Sequence, residues 1–576
     1  MKNKEKYTLS PEVGSVDYNN LPKELFKKSK IDAESLHDQA FETKPVSYLR
    51  GALMRFAKNK ASVIAFFIIA VIILYAIIVP LASPKSYVNS VEYPNGFQDP
   101  YFSYALPYNP MFKGSGFWDG TEVKSGFSQS DYNVLSYDDS NHSRIVDVVS
   151  TDVNEIRIGS RVNRFTSYTL RTDSYAVGNK VITIKPSEYE KLVSYEQEKG
   201  IYQTKDSIMK PFVDSATYLQ EYRDEMAQDL LGVSYSEITS ADQSTKTTID
   251  NVIDSMTNYY NQHADIYYKL SAKTSTGNYS QNSFSIVFSS DGTPETIYQE
   301  DSEGNLVYSA YNTGVYTVRV DYFDYFVFHN GFEPYYFFGA NASGQDIFLR
   351  LASGARFSLL LGVGISLINI IIGIIWGAIA GYYGGRTDLV MERITDIISA
   401  IPSIIILTIC SIQFTNNVAL RGAIGEAGVY VLAFLVAFVY SGWIGVAGTT
   451  RMQFYRFKGQ EYVLASRTLG AKDRRLIFKH ILPNAVGTLV TSSVLMIPGV
   501  IFSESSLSYL GIINFTTSGL SSIGSLLNEG QAAGLQNHPH MLLFPCVIIS
   551  LLMICFNLFG NGLRDAFNTS LRGSEN

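Results

Sequence analysis

Six apolar stretches, each long enough to cross a bilayer, constrain this chain more than any other feature. A helix that spans the hydrocarbon core needs about 20 mostly apolar residues. The first stretch, residues 61–81, contains no charged residue. It has no clear small-residue cleavage pattern after it, so we interpret it as a retained helix rather than a signal peptide. The other predicted spans are residues 357–382, 394–412, 429–446, 485–502 and 541–559, with interruptions expected near Pro402 and Pro498.

The distribution of Lys and Arg predicts the orientation of these spans. Basic side chains concentrate on the cytoplasmic side of membrane proteins. Four of them precede the first span, and eight lie between residues 451 and 479. Six spans with both termini in the cytoplasm place both groups inside, and they leave residues 416–428 and 503–540 as outer loops. Arg350 and Arg356 fall on the outer side, against the bias.

This orientation leaves a polar region, residues 84–336, outside the cell. Residues 283–288 and 314–320 alternate as strands do, whereas residues 187–257 have a more helical pattern. We therefore expect an inserted α+β extracellular domain. The three cysteines of the chain, Cys410, Cys546 and Cys555, all lie in apolar runs, so this domain is expected to fold without disulfides.

The predicted organisation has five parts. A cytoplasmic tail covers residues 1–60 and is expected to be flexible with at most one short helix. The first transmembrane helix covers 61–83, the extracellular domain 84–336 and the main transmembrane domain 337–566. A cytoplasmic loop at 451–484 lies within this last domain, and a cytoplasmic tail covers 567–576.

Residues 461–484, EYVLASRTLGAKDRRLIFKHILPN, predict two short helices around a glycine. Tyr462, Val463 and Leu469 give the first helix an apolar side, and Ala465 and Ser466 are small enough for a partner to approach. Gly470 suits the left-handed position that ends a helix. Asp473 can cap a second helix, which we expect to stop at Pro483.

Two interpretations of this loop are open from composition alone. It can dock in a cleft of a cytoplasmic protein, or it can lie on the membrane with its basic residues on anionic lipid. The chain has no phosphate-binding Gly-x-x-x-x-Gly-Lys motif, and the dipeptide Gly-Lys never occurs. Any ATP-driven function therefore needs a separate ATPase.

The spacing within the loop resembles the EAA loop of bacterial ABC importer permeases. Leu464-Ala465-Ser466 fills the triplet, Gly470 the glycine, and His480-Ile481-Leu482-Pro483 the end. Glu461 and Tyr462 before the triplet and Asn484 after Pro483 are similar to the dipeptide and oligopeptide branch. The Glu and Ile of the general consensus are not matched.

Two further segments resemble the same branch. Residues 337–362 are similar to the family segment before the second span, and residues 556–566, FNLFGNGLRDA, to its closing segment. Glu504 and residues 508–511 also match. The family's second Arg after Trp443 is replaced by Gly448, whereas Arg451 is kept. The resemblance is to the C-type subunit and covers the first span and everything from about residue 336 onward, so it leaves the large insertion unexplained.

The resemblance implies a type I ABC importer fold with six transmembrane helices in the cell membrane of a bacterium. It implies a second, B-type permease subunit, two ATPase subunits that bind ATP and Mg²⁺, and an extracellular lipoprotein that delivers peptide. The chain itself would bind no cofactor, no metal and no nucleic acid, and it would not be an enzyme. Its coupling to the ATPases would use Glu461, Tyr462, Ala465, Ser466, Gly470, Asp473, His480, Leu482 and Pro483.

The substrate path is less clear from sequence. Asn369, Tyr440 and Ser441 can line a polar path, although polar residues in helix bundles more often join helices. Glu504, at the predicted outer mouth, can gate the path or cap a helix. The aromatic residues around 316–326 can form the core of the inserted domain or dock the binding protein.

Two other functions stay open. The same machinery can import another ligand, such as nickel or another small solute. Alternatively the chain is a receptor or adhesion protein whose membrane part is only an anchor. An intact docking loop argues against an anchor, because an anchor has no use for one.

Overall fold

The computed structural model describes residues 48–83, 100–136, 140–158, 161–202, 204–210, 215–262, 270–273, 279–281, 309–312, 314–513, 515 and 520–567. The predicted N-terminal tail before residue 48, the predicted strand 283–288 and residues 568–576 lie outside these ranges.

The described residues form eighteen α-helices and eight strands in chain order. The first seven helices are α1 Tyr48–Lys58, α2 Lys60–Ala82, α3 Gln129–Ser136, α4 Pro186–Lys199, α5 Ser215–Leu231, α6 Gln243–Gln262 and α7 Tyr322–Asn330. The remaining helices are α8 Ile347–Tyr383, α9 Gly385–Ser399, α10 Ser403–Asn416, α11 Val418–Gly442, α12 Ile444–Lys458, α13 Glu461–Thr468, α14 Asp473–Arg475, α15 Leu482–Val494, α16 Met496–Tyr509, α17 Ile523–Ala533 and α18 Pro539–Phe567. The strands are β1 Thr121–Ser128, β2 Ile145–Ile158, β3 Arg161–Asp173, β4 Asn179–Ile184, β5 Leu270–Lys273, β6 Tyr279–Gln281, β7 Ser309–Asn312 and β8 Val315–Asp321.

Four helical segments are long and apolar enough to cross a membrane: α2, α8, the combined α11 and α12, and α18. Two bent pairs qualify if each is one span. Helices α9 and α10 meet at 65°, and the segment Asp473–Thr491 meets α16 at 41°. The described part of the chain is therefore a helical polytopic membrane protein with four to six crossings.

Prolines account for both bends. A proline clashes with the carbonyl four residues before it and disfavours helical geometry in the residue before it. Pro402 directly precedes α10, and α9 ends at Ser399. Pro498 lies inside α16, and the break falls at Leu495, next to the carbonyl of Val494. The predicted interruption at Pro498 is thus displaced to the preceding turn.

Two predicted outer loops are largely helical, which corrects the sequence analysis. Residues 418–442 form α11, because Asn417 caps its first turn by accepting from the Leu420 amide at 3.0 Å. Gly425, with φ of 73° and ψ of 169°, is not helical and divides this segment into two helices that meet at a kink. The second predicted loop, 503–540, contains the end of α16 and the buried helix α17. Hydropathy missed both helices because their apolar residues are interspersed with Gly, Ser and charged residues.

Close backbone contact joins α8 to α12. Gly373, Gly377 and Gly381 recur every fourth residue on one face of α8. A Cβ at Gly377 would lie 2.2 Å from the carbonyl oxygen of Ala447, which no relaxation of a side chain could relieve. Small residues allow this approach of two membrane helices.

The region between α2 and α8, here called the inserted region, contains both strands and helices. One three-stranded antiparallel sheet has the order β1-β3-β2, another has the order β4-β8-β7, and β5 pairs with β6. The predicted strand at 314–320 corresponds to β8, and the helical pattern at 187–257 corresponds to α4, α5 and α6.

Most of the aromatic residues around 316–326 lie in the core of this region. Phe323 and Phe326 are buried. Tyr316 stacks on Tyr189 with ring centroids 4.0 Å apart, and the Tyr325 hydroxyl donates to Glu188 at 2.7 Å. Their burial argues against their use as an exposed docking surface.

Two chain segments, joined by hydrogen bonds, form a neck between the inserted region and the membrane helices. The amide of Ala340 donates to the carbonyl of Ala105 at 2.8 Å, and the amide of Tyr108 donates to the carbonyl of Tyr336 at 3.0 Å. The buried Tyr175 donates its hydroxyl to the Leu106 carbonyl at 2.6 Å. The chain thus enters and leaves the inserted region at one place. We call this end of the membrane helices the insert end, and the end that carries residues 461–484 the loop end.

Candidate functional site: the 461–484 hairpin

The first arm of the hairpin ends as the sequence predicts. Helix α13 stops at Thr468, and Gly470 has φ of 83°. The amide of Ala471 donates to the Ser466 carbonyl at 3.1 Å, and the amide of Gly470 donates to the Arg467 carbonyl at 3.0 Å. These two bonds satisfy the last carbonyls of the helix in the arrangement that glycine favours. The glycine therefore fixes the turn between the two arms.

The second arm differs from the prediction at its start. Lys472, not Asp473, occupies the capping position, and Asp473 is the first helical residue. The Asp473 carboxylate instead accepts from the Tyr382 hydroxyl at 2.5 Å, and Arg467 donates to the same hydroxyl at 3.4 Å. A carboxylate in the first turn still stabilises a helix N-terminus. The Asp473 carboxylate is hydrogen-bonded to a side chain on α8, and a local sequence rule cannot reveal such a distant partner.

The second arm also does not stop at Pro483. Residues 476–481 form a π-helical turn, in which the Leu482 amide donates to Ile477, five residues back. Pro483 lies in the first turn of α15, where its missing amide does least harm. The arm therefore runs through the proline into the membrane span, so the hairpin and the fifth predicted span are mechanically continuous.

One side of the hairpin packs on the loop end of the membrane helices. Val463, Leu476 and Ile481 are buried in a cluster with Tyr382 of α8 and Phe454 of α12. Leu469 was predicted to share the apolar side with Val463, but it is 88% exposed. It follows the end of α13, where the helical periodicity no longer applies. Tyr462 is also largely exposed.

Polar contacts tie the two arms together. Ser466 Oγ and His480 Nε2 lie 3.2 Å apart, within hydrogen-bond distance. Asn484 donates to the Tyr462 hydroxyl at 3.2 Å and to the His480 carbonyl at 2.7 Å. Partial burial raises the pKa of Tyr462, so its hydroxyl stays protonated at neutral pH. Tyr462, Ser466 and His480 therefore hold the hairpin closed, whereas Glu461, Ala465 and Pro483 are exposed and Leu482 is half-buried.

The opposite face of the hairpin is apolar and basic. Leu464, Leu469 and Phe478 are exposed on it. A shallow cavity beside Phe478 is lined by Lys472, Arg474, Arg475 and Lys479. Exposed apolar groups beside positive charge are typical of a surface that binds another molecule. Such a surface suits an acidic protein cleft or an anionic lipid surface.

A charged cluster behind the hairpin holds the membrane helices together at the loop end. Arg451 of α12 donates to Asp388 of α9 through two bonds of 2.5 and 2.7 Å. Arg451 also reaches Glu392 at 3.1 Å, and the Tyr455 hydroxyl donates to Asp388 at 2.6 Å. We call Arg451 and Asp388 the loop-end pair. The sequence analysis noted Arg451 but missed Asp388, because 63 residues separate the two.

A second Arg–carboxylate pair lies at the insert end. Arg350 of α8 donates to Glu529 of α17 through two bonds of 2.6 and 2.7 Å. Asn341, in the segment after the neck, also donates to Glu529 at 3.2 Å. We call Arg350 and Glu529 the insert-end pair. It explains why Arg350 is tolerated where the charge bias of membrane proteins disfavours it.

The four predicted path residues divide into two groups. Asn369 is buried and donates to the Phe438 carbonyl at 3.2 Å, which joins α8 to α11. Tyr440 and Ser441 are half-buried near the end of the same α11. Glu504 is separate from these three, because its partner Ser358 lies about 16 Å earlier along α8 than Asn369.

Glu504 is buried rather than at an open mouth. Its carboxylate accepts from Ser358 at 2.9 Å, Ser508 at 3.0 Å and Ser505 at 3.3 Å. These bonds join α8 to α16, and Glu504 is only 1% exposed. In this conformation it holds two helices together, and its role at the path stays a prediction.

Comparison with known proteins agrees with this architecture. Residues 373–573 match the family "Binding-protein-dependent transport system inner membrane component", and residues 47–107 match the "N-terminal TM domain of oligopeptide transport permease C". The oligopeptide transport system permease protein OppC of Bacillus subtilis (strain 168) is 40% identical over 237 residues, which are 41% of this chain and 72% of that protein. The chain belongs to this permease family.

Other members of the permease family are similar over the same length. The dipeptide transport system permease protein DppC of Bacillus subtilis is 38% identical over 41% of this chain and 69% of its own. OppC of Escherichia coli (strain K12) is 33% identical over 41% of this chain and 73% of its own. A solved structure of the MetNI methionine ABC transporter, in an inward-facing conformation, is 17% identical and covers 38% of this chain and 96% of that chain, with a TM-score of 0.28.

The two family models leave residues 108–372 uncovered, and most of the inserted region lies in that gap. Within it, the described residues contain one group that could hold a metal ion, namely His142, Asp321 and Asp324. Burial lowers the pKa of His142, but hydrogen bonding and charge from the two aspartates raise it overall. Asp321 caps α7 by accepting from the Phe323 amide at 3.1 Å, and Asp324 accepts from Asn141 at 2.6 Å. These bonds explain the group as a charge network that fixes α7.

Proposed function

We propose that this chain is the C-type permease subunit of an ABC importer for oligopeptides or dipeptides. Two separate ATPase subunits would bind ATP and Mg²⁺, and a second, B-type permease would complete the translocation path. The observation that carries the proposal is the 461–484 hairpin, whose inner face is locked to the membrane helices and whose outer face is free. The names of the similar OppC and DppC proteins support peptides as the substrate.

The geometry of the hairpin supports a mechanical role. A push on its exposed face reaches α15 directly through the continuous helix at Pro483. It reaches α8 through Tyr382 and α12 through the buried contact with Phe454. ATP-driven closure of the ATPases would therefore move three membrane helices together, which is what switching between inward- and outward-open states requires.

In this proposal the chain crosses the cell membrane six times, and each bent pair counts as one span. The N-terminal tail, the hairpin and the C-terminal tail would lie in the cytoplasm. Residues 84–336 would form an extracellular α+β domain between the first span at 61–83 and the transmembrane domain at 337–566. An extracellular peptide-binding lipoprotein would deliver the substrate.

The test uses Leu469, the most exposed apolar side chain of the hairpin. Leu469→Asp should leave the amount and folding of the complex unchanged, because Leu469 is 88% exposed. It should lower peptide-stimulated ATP hydrolysis by about tenfold or more, since a charged group in a docking cleft removes an anchor worth about 2 kcal/mol. Leu230→Asp, at an exposed position in α5 of the inserted region, is the matched control and should keep full activity.

Three outcomes would contradict the proposal. Normal stimulated hydrolysis with Leu469→Asp would show that the hairpin does not couple to an ATPase. Copurification of the chain without any ATPase would favour a membrane-anchored receptor. If the reconstituted transporter took up labelled nickel but not labelled peptides, the chain would still be an importer subunit, but its substrate would be nickel and not peptides.

A further inference from the structure

A short loop of the inserted region presents apolar side chains to its surroundings. Residues 110–118, with the sequence PMFKGSGFW, connect the neck to β1. Met111 is 87% exposed and Phe117 63% exposed, and Phe112 is also exposed. The rings of Phe112 and Phe117 are 5.7 Å apart, and those of Phe117 and Trp118 are 5.9 Å apart. These side chains form one apolar patch, here called the 110–118 patch, which water would not favour.

The loop is held in a defined shape. The Asn109 amide donates to the Trp118 carbonyl at 2.7 Å, which closes the loop at its base. The Asn109 side chain accepts from the Met111 amide at 3.1 Å, and the Asp119 carboxylate accepts from the Gly116 amide at 2.8 Å. Trp118 has φ of 54°, in the left-handed region that is unfavourable for a bulky residue. Strain of this kind persists where the surrounding structure fixes a side chain in place.

Trp118 fixes the loop to the insert end of the membrane helices. Its indole nitrogen donates to the Phe337 carbonyl at 2.5 Å. Its ring lies 5.1 Å from the ring of Phe337 and 5.4 Å from the ring of Phe544, which is in the first turns of α18. The base of the loop therefore rests on a segment that crosses the membrane.

A series of ring contacts connects the base of the loop to Tyr75 of α2, which lies shortly before the end of the first span. The ring of Phe337 is 5.5 Å from that of Phe348, which is 5.0 Å from that of Tyr75. Tyr75 lies seven residues before Ala82, the last residue of α2, which corresponds to about 10 Å along the helix. The loop is thus next to the interfacial layer of any bilayer that α2 crosses.

Apolar side chains are exposed on the span, on Phe337 and on the loop. Exposed side chains of α2 near this end include Leu74, Ile78 and Leu81, and Phe337, whose ring contacts those of Phe348 and Trp118, is also exposed. These residues of α2 face lipid if α2 crosses the membrane. Trp118, whose ring contacts those of Phe117 and Phe337, connects the 110–118 patch to this surface.

The chemistry of the loop fits lipid better than a protein partner. Aromatic side chains, Trp above all, concentrate at the membrane–water interface. The loop carries one charged residue, Lys113, and no acidic residue. A lysine among apolar side chains can bury its stem and keep its ammonium at the level of the lipid phosphates.

We propose that residues 110–118 form a membrane anchor that inserts Met111, Phe112 and Phe117 into the head-group layer of the adjacent leaflet. Lys113 contacts lipid phosphates there, and Trp118 connects the anchor to α18. The anchor holds the inserted region down against the bilayer beside the neck. This inference depends on α2 crossing a membrane and not on the transported substrate.

Spin labels on the assembled full-length transporter in phosphatidylcholine–phosphatidylglycerol nanodiscs would test the anchor. The native Cys410, Cys546 and Cys555 are replaced, and a label is attached at Phe117→Cys or at Met111→Cys. Val153→Cys in β2 is the matched control, because Val153 and Phe117 are both 63% exposed. Collision rates with oxygen, which partitions into lipid, and with a water-soluble nickel chelate are then measured.

The label at 117 should collide with oxygen more often than the label at 153, and with the nickel chelate at least about tenfold less often. Equal nickel accessibility at the two positions would mean that the patch is in water and would overturn the proposal. Low accessibility to both reagents would mean that another protein covers the patch and would also overturn it.

A second measurement avoids any change in the loop. In a Trp376→Phe/Trp443→Phe variant, Trp118 is the remaining tryptophan of the chain. Lipids brominated near the head group should quench its fluorescence strongly, and lipids brominated at the chain ends should quench it less. Absence of quenching by both lipids would contradict the anchor even if a labelled variant failed to fold.

Discussion

The insert-end pair and the loop-end pair use the same chemistry in different surroundings. In each, an arginine donates two bonds to one carboxylate and joins two helices of the permease. Arg350 of the insert-end pair is 4% exposed, and among the described residues its carboxylate partner is Glu529 alone. The Arg451 side chain of the loop-end pair is 30% exposed, and it has Glu392 as a second carboxylate partner.

This difference suggests that the two pairs differ in how easily their ionic contacts can be broken. The carboxylates show the opposite order, since the Glu529 side chain is 21% exposed and that of Asp388 9%. The contrast therefore lies in the arginines: a buried arginine with one carboxylate partner loses that partner at high cost. A partly exposed arginine with a second acceptor can exchange partners at low cost. We infer that the contacts of Arg350 at the insert end are harder to break than those of Arg451 at the loop end.

The largest effect is expected from Arg350→Met. The change leaves Glu529 without its guanidinium. Breaking a buried pair from one side typically costs about 3–5 kcal/mol, and this is an upper bound here because Glu529 is 21% exposed and keeps the donor Asn341. The melting temperature of the purified complex should fall clearly. Arg350→Met/Glu529→Leu should recover most of the loss, because it removes both charges. A double variant as unstable as the single one would show that the arginine matters for packing rather than for its charge.

A smaller loss is expected from Asp388→Asn at the loop end. Hydrogen bonds to charged groups contribute about 1.5–3 kcal/mol, but Arg451 keeps Glu392 and water as partners. The same melting experiment should therefore show a smaller decrease than for Arg350→Met. Adding Glu392→Gln should cost more in the Asp388→Asn background than in the wild type. A decrease equal to that of Arg350→Met would remove the distinction between the two ends.

Packing at the loop end provides an independent comparison. Gly377→Ala puts a methyl group 2.2 Å from the Ala447 carbonyl oxygen, so the backbones of α8 and α12 must separate. Overpacking of this kind costs about 1–3 kcal/mol. Gly445→Ala in α12 is the control, because among the described residues no heavy atom outside the adjacent backbone of its own helix lies within 4 Å of its new methyl group. Equal melting temperatures for the two variants would mean that the helices at the loop end are not in rigid contact.

The smallest effect is expected from Arg393→Ala in α9. Arg393 pairs with Asp396 at 2.9 Å, but their side chains are 70% and 55% exposed. Exposed pairs contribute about 0–1 kcal/mol. The melting temperature should stay within error of the wild type at moderate salt. A clear decrease would indicate that this part of α9 is covered in the assembled transporter.

Local patterns in the sequence predicted the features that depend on local physics. Long apolar runs predicted a polytopic helical membrane protein, and Gly470 predicted the turn of the hairpin. Each follows from a short stretch of chain and a general rule of backbone or bilayer geometry. The family motif favoured docking on a protein for the hairpin, whose composition alone left protein and lipid open, and this role stays a prediction.

The features that the sequence missed depend on residues far apart in the chain. Asp388 and Glu529 acquire their roles only when α9 and α17 meet distant arginines. Asp473 was assigned to a local cap and instead binds Tyr382, 91 residues away. Pro483 was expected to end a helix, but the π-turn before it lets the helix continue. Neither tertiary partners nor such a turn leave a local pattern.

The neck has a consequence for how such a protein can arise and be redesigned. The Tyr108 amide donates to the Tyr336 carbonyl at 3.0 Å, although the two residues are 228 positions apart in the sequence. A single graft between these two points would add or remove an entire module without lengthening any connection between the membrane helices. The permease could therefore have acquired this module in one event, and a laboratory could exchange it for a short turn or for another domain whose termini are equally close.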